Sequence, residues 1–420
     1  VTARLHRLGN GLTVAIDPMD SVETLAVGLY ADVGARSEPA GLSGLAHMVE
    51  HMVFKGAGAR DARALAEAAE DAGGSLNAWT ARDQTVFHAR MLANDLALGV
   101  DLIADLVRAP HLDAAELDRE RGVVLAELGE ARDTPDDIIF DQLQAAAFGT
   151  QPLALPVLGD EAGIAAIDVA ALRDWIATRY RPDGLILAAA GRIDEDELLN
   201  LAEARFGDMA AGAPPPPPEA RFIGGATHDR RRFDQTHIAF AHPGTSIADA
   251  DFHALGLFAS AAGGGASSRL FQELREKRGL AYSIYAWTHS YADTGLLGVY
   301  CAMAKADAAA AYALAGEVLR QTAETMDERE LARARAQSKA GLLMGLESVA
   351  SRCDHLARQV QVHGRIVPAS ETVAALDAVT LDQARAAGAK AIGGGLATAT
   401  IGGGKLGVAK PTATKLAKAA

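Results

Sequence analysis

The chain has almost no cysteine. Two thiols in 420 residues, Cys301 and Cys353, exclude a disulfide framework and a thiolate metal cluster. No apolar run approaches the roughly eighteen residues that a membrane-spanning helix requires. Positive charge is also scarce. Lys and Arg total 40 against 54 Asp and Glu, a net charge of −14, which argues against nucleic acid or anionic lipid as the main partner. The opening residues, Val1 to Arg7, lack an apolar signal segment, so a cytoplasmic protein is the default expectation, with or without a cleaved leader upstream. What is abundant is hydrophobic residues, 49% of the chain, enough for sizeable cores in two or more domains.

The densest chemistry lies in His47-Met48-Val49-Glu50-His51. Leu42, Leu45, Ala46, Val49, Met52 and Val53 recur at helical spacing, so the run reads as a largely buried helix. Residues four apart share a helix face, which sets the imidazoles of His47 and His51 side by side with the Glu50 carboxylate at the edge. Two such histidines can share a metal ion, and a neighbouring carboxylate can take a proton from water held there. Burying these groups without partners is costly, so a core helix carrying them by chance is the weaker reading. A second candidate follows on the helix expected from Asp113 to about Ala131. Glu120 and Glu127 are two turns apart and point the same way, and an inward pair of carboxylates needs a cation.

Around these segments the patterning alternates. Strands are expected at 12–16, 24–33 and 184–190, and a hairpin at 75–92. Helices are expected at 61–72, 95–108, 136–148, 168–180 and 194–206. Hairpins among helices predict an α+β fold with antiparallel sheets, not a doubly wound one. Five consecutive prolines, Pro214–Pro218, then mark a stiff extended connector near the middle of the chain. Beyond it, strands (233–241), helices (249–262 and 268–277) and strands (281–302) repeat the earlier order. The tripeptide Ala-Trp-Thr at 78–80 recurs at 286–288. An internal duplication at an offset of about 208 residues follows. At that offset His47, Glu50 and His51 correspond to Leu255, Phe258 and Ala259, so the second copy carries no metal site. The expected organisation is a metal-binding domain at 1–210, a proline-rich linker at 211–224, and an inactive pseudo-repeat at 225–420. The glycine run before Lys405 lacks the Ser/Thr and the spacing of a phosphate loop and reads as a turn, followed by a small basic tail. His88, His237 and His289 read as ordinary strand residues.

Taken together, His47-x-x-Glu50-His51, Glu120 and Glu127 downstream, Gly74-Ser-Leu-Asn-Ala-Trp-Thr80, and Ser267-Ser-Arg-Leu270 running into Arg275 and Tyr282 resemble the inverted-zincin metallopeptidases. That group includes the pitrilysin, insulinase and mitochondrial processing peptidase types. The resemblance covers essentially the whole chain, and the length is similar to the half-size, processing-peptidase-like bacterial branch. It implies that His47, His51 and Glu127 hold one zinc ion per chain, that Glu50 is the general base, and that Glu120 orients a ligand histidine. It further implies that the edge strand through Asn77, Ala78 and Trp79 pairs with an extended peptide and that Phe54 lines a substrate pocket. Arg275 and Tyr282 would grip substrate carbonyls, in a homodimer and from the partner chain.

Two departures stand out. Gln151–Pro156 lacks the polar residues often found in the family's corresponding loop, and Gly263–Gly265 is shorter than the glycine loop of non-catalytic processing subunits. The implied activity is a zinc metalloendopeptidase acting on short or unfolded peptides. The alternative is a non-catalytic assembly subunit on the same fold, a role that goes with eroded ligands.

Overall fold

Strand Thr24–Ala31 is buried at every position after its first, and Leu185–Gly191 along its whole length. Strands that apolar need cover on both faces, and this requirement sets the architecture. In the computed structural model, which describes residues 3–403, both lie inside a six-stranded sheet. Its order is Arg4–Arg7, Thr13–Pro18, Leu185–Gly191, Thr24–Ala31, Thr85–Leu92, Ser75–Thr80. Thr13–Pro18 and Leu185–Gly191 run parallel, and the remaining neighbours are antiparallel. Side chains alternate across the sheet. Val27 and Leu29 belong to one core with Met48, Val49 and Met52 of helix Leu45–Val53 and with Val100 and Ile103 of helix Leu96–Arg108. Ala26 and Tyr30 face the other way, with Ile186, Ala188 and Ala190, and are covered by Cys353, Leu356, Ala357 and Val360 of helix Val349–His363.

The second sheet has the order Ser283–Ser290, Gly295–Met303, Thr236–Pro243, Ala397–Ile401, Gly225–Asp229, again with a single parallel pair, the last two. Read from the hairpin edge, both sheets follow one plan. Equivalent strands begin at 13 and 225, 185 and 397, 24 and 236, 85 and 295, and 75 and 283, offsets of 212, 212, 212, 210 and 208 residues. The fold is therefore the duplicated α+β arrangement expected. Leu255, Phe258 and Ala259 are all buried in helix Phe252–Gly263 and offer no ligand atom.

The expected domain boundaries need correction. Helix Pro135–Phe148 packs Ile139, Leu143, Ala146 and Ala147 against Ala239, Ala241, Tyr300 and Ala397 of the second sheet. Each sheet thus takes the helix over one apolar face from the other half of the sequence. One compact unit comprises residues up to Ala131, Leu155–Glu219 and Gln337–Asp377; the other comprises Arg132–Ala154, Ala220–Ala336 and the chain from Ala378. The boundaries 1–210 and 225–420 miss this exchange because it depends on which face a helix covers, not on sequence neighbourhood.

The proline segment is extended, as expected, and it is fastened along the first unit. Arg36 Nη2 donates to the Pro218 carbonyl at 2.5 Å, Arg179 Nη1 to that of Pro215 at 3.2 Å, and Arg181 Nη2 to that of Ala211 at 2.7 Å. His88, His237 and His289 lie in strands, as read. Lys405 and the basic tail lie outside the described residues. No described helix is long and apolar enough to cross a membrane.

Candidate metal centre

Helix Leu45–Val53 begins at Gly44, whose φ of 97° lies in the left-handed region. A Cβ there would stand 3.0 Å from the Leu158 carbonyl oxygen, so glycine suits the position on two grounds. No side chain of the capping residue closes the helix start. The Glu38 carboxylate does so instead, accepting from the Gly44 and Ala46 N–H groups at 2.9 and 2.8 Å. Burial pushes the Glu38 carboxyl up to about 8, and the two backbone bonds oppose that rise.

One turn in, His47 is 9% exposed. Its Nε2 lies 3.2 Å from His51 Nε2 and 3.7 Å from Glu127 Oε2, and His51 Nε2 lies 3.4 Å from the same oxygen. Atoms bound at 2.0–2.1 Å to one tetrahedral ion stand about 3.3 Å apart, and these three separations bracket that value. The ring orientation of His51 is fixed from behind. Its Nδ1 contacts Glu120 Oε2 at 3.0 Å, and the other Glu120 oxygen accepts from Lys55 Nζ at 2.7 Å. With the Nδ1 proton directed at Glu120, His51 turns its Nε2 lone pair inward. Desolvation, then the neighbouring His51, lowers the His47 imidazole to about 4, so it is neutral at pH 7. Two imidazole nitrogens and a carboxylate oxygen therefore converge, at the spacing and with the donor chemistry that a divalent cation takes. Among the described residues, His47, His51 and Glu127 are the group of ligand atoms brought within 4.8 Å of one another.

Glu50 shares the helix but not this convergence. Its Oε2 is buried and makes no hydrogen bond within the protein. Burial raises its pKa, the nearby Thr80 hydroxyl and His51 oppose the rise, and Glu127 adds to it. A carboxylate with a free buried oxygen beside a cation site is placed to accept a proton from water.

The substrate residues implied by the resemblance fall on three elements. Asn77 and Trp79 are exposed on Ser75–Thr80, the edge strand of its sheet, with Ala78 buried between them. Phe54 ends the histidine helix, half-buried against the core. Arg275 and Tyr282 belong to the second unit. The Arg275 guanidinium lies 5.4 Å from the centre of the Tyr282 ring and 4.7 Å from that of Phe271. Arg275 sits on a π-type helical turn, Phe271–Glu276, where an α-helix was expected, and Tyr282 is 73% exposed. Such turns recur at functional sites. Sequence reasoning missed Glu38 and Lys55. Lys55 could have been found, since it lies four residues beyond His51. Glu38 could not, because its role depends on how the preceding loop folds back.

Residues 13–161 match the model described as insulinase (peptidase family M16), and residues 166–338 match the peptidase M16 inactive domain. An uncharacterized zinc protease of Mycobacterium leprae is 36% identical over 388 residues, covering 90% of this chain and 87% of that protein. The β subunit of the mitochondrial-processing peptidase of Blastocladiella emersonii is 34% identical over 397 residues, covering 91% and 84%. In fold, the chain is similar to a peptidase M16 inactive-domain structure from Pseudomonas fluorescens, with a TM-score of 0.87 at 21% identity, covering 96% of this chain and 98% of that one. A protease from Helicobacter pylori gives 0.86 at 20% identity, covering 96% and 99%. Two matched family models spanning most of the sequence, and relatives above 30% identity along nine-tenths of it, place this chain in the M16 peptidase family.

Proposed function

We propose that this protein is a zinc-dependent metalloendopeptidase that cuts short or unfolded peptides, with one zinc ion per chain. The observation that carries the proposal is the convergence of His47 Nε2, His51 Nε2 and Glu127 Oε2 at tetrahedral spacing, beside a buried carboxylate oxygen of Glu50 that has no partner. Zinc held there supplies Lewis acidity to the scissile carbonyl and to the attacking water. Glu50 takes the proton of that water and passes it to the departing amine. Glu120, braced by Lys55, keeps His51 in its ligating orientation. The free edge of Ser75–Thr80 adds the substrate backbone as a further strand. Arg275 and Tyr282 donate to substrate carbonyl oxygens, and they do so across a homodimer, each from the chain facing the other's zinc site.

The decisive experiment is Glu50→Gln, with zinc and cleavage of a quenched peptide measured in the same sample. The expected variant keeps its zinc and loses about three orders of magnitude or more in turnover. Undiminished cleavage sinks the mechanism. The absence of stoichiometric zinc in the wild-type protein favours the assembly-subunit alternative.

A further inference from the structure

A cavity of about 410 Å³ opens in the first unit, between the end of helix Leu96–Arg108 and helix Val169–Arg179. Its volume is in the range of small-molecule sites. Ile176, Tyr180 and Met209 form an apolar floor, and Arg108, Arg173 and Arg181 supply its charge. No carboxylate lines it, in a chain with 54 acids against 40 bases. Arg108 is committed to the Arg205 carbonyl and to Asp208, and Arg181 to the Ala211 carbonyl. Arg173 is exposed and makes no ion pair or hydrogen bond among the described residues, so its guanidinium is free for a ligand.

Two details sharpen the chemistry. Leu112 lines the cavity, is buried, and has a left-handed backbone at φ 50°, the one non-glycine residue to do so among the described residues. That conformation is disfavoured for a bulky side chain and has to be held by its surroundings. The polar side chains that open into the cavity are three guanidiniums, donors without a carboxylate or amide acceptor in the lining; the Tyr180 hydroxyl is buried on the side of Trp175, Thr85 and Glu50 and is not one of them. A peptide lying there would bring N–H donors that those side chains do not satisfy. A ligand that only accepts, through one anionic end, and is otherwise hydrocarbon matches the one uncommitted guanidinium, Arg173, and the apolar lining beside it.

We infer that this cavity is a binding site for a medium-chain carboxylate, its hydrocarbon body on Ile176, Tyr180 and Met209 and its carboxylate on Arg173. None of the cavity's lining residues is a candidate zinc ligand or Glu50, so the inference does not rest on the peptidase reading, although the buried Tyr180 hydroxyl faces Glu50 from behind the floor.

The test is calorimetric titration of the full chain with decanoate, kept below its micelle concentration, beside decanol and acetate. Arg173→Glu reverses the free charge and Ala177→Trp fills the groove. Both positions are exposed, so melting curves are expected to match wild type. Decanoate is expected to bind one per chain. Decanol and acetate are expected to bind at least about tenfold more weakly, and each variant to weaken decanoate by about tenfold. The inference is overturned if decanoate does not bind, if decanol matches it, or if both folded variants bind it as wild type does.

Discussion

His51 Nδ1 and Glu120 Oε2 are joined at 3.0 Å, and this contact determines which nitrogen of His51 is left to face His47 and Glu127. Glu120 is not itself one of the three converging ligand residues. Its replacement by alanine is therefore expected to weaken zinc binding by about 10- to 100-fold while the fold persists, as seen where carboxylates orient ligating histidines. Competition against a zinc chelator measures this directly. Unchanged affinity means that the helix alone orients His51.

The metal-free protein is expected to lose stability on acidification. The His47 imidazole falls from an ordinary 6.5 to about 4 in the folded chain, so between those values the unfolded state binds more protons than the folded one. Its contribution is present above about 6.5 and lost as pH falls through about 4. Thermal melts of chelator-treated protein at pH 7 and pH 5 should differ, and His47→Gln should narrow the gap. A gap equal in both proteins assigns the effect to other groups.

Arg36 is 1% exposed, donates to Asp83 at 3.1 Å and to the Pro218 carbonyl at 2.5 Å, and so pins the end of the proline segment. Arg36→Met removes one member of a buried charged network and is expected to cost about 3 kcal/mol in urea unfolding. The same experiment on Arg63→Met, an exposed i,i+4 pair with Glu67, should cost well under about 1 kcal/mol. Equal losses contradict the role given to Arg36.

Gly44→Ala forces a side chain into a left-handed residue against the Leu158 carbonyl, and a loss of about 1–2 kcal/mol is expected. Because Gly44 starts the histidine helix, zinc affinity should fall with it. Stability loss with zinc affinity intact shows that the helix start and the metal site are uncoupled.

The proposed trans arrangement predicts complementation. Glu50→Gln and Tyr282→Phe chains, each inactive alone, should regain activity when mixed, because a mixed dimer contains one site with an intact Glu50 facing an intact Tyr282. Subunit exchange is verified by labelled chains. Verified exchange without recovery places both residues on the same chain's site or removes Tyr282 from the mechanism.

Local sequence by itself determined which side chains the candidate site brings together. His47, Glu50 and His51 are legible because helical geometry fixes their mutual placement within one turn, and Glu120 and Glu127 because two turns of another helix align them. The repeat of elements along the chain was likewise legible, since duplication repeats local patterns at a near-constant offset, whereas the order of strands within each sheet was not. Tertiary structure alone decided what joins those pieces. Arg36 holding Pro218 and the exchange of helices Pro135–Phe148 and Val349–His363 between the two sheets are contacts between residues far apart in the chain, and the Glu38 cap, though only six and eight residues from Gly44 and Ala46, depends on how an irregular loop folds back. Periodicity reports that a helix has an apolar face. It does not report which of two similar apolar sheets that face covers, because burial is non-directional and both sheets offer the same surface chemistry.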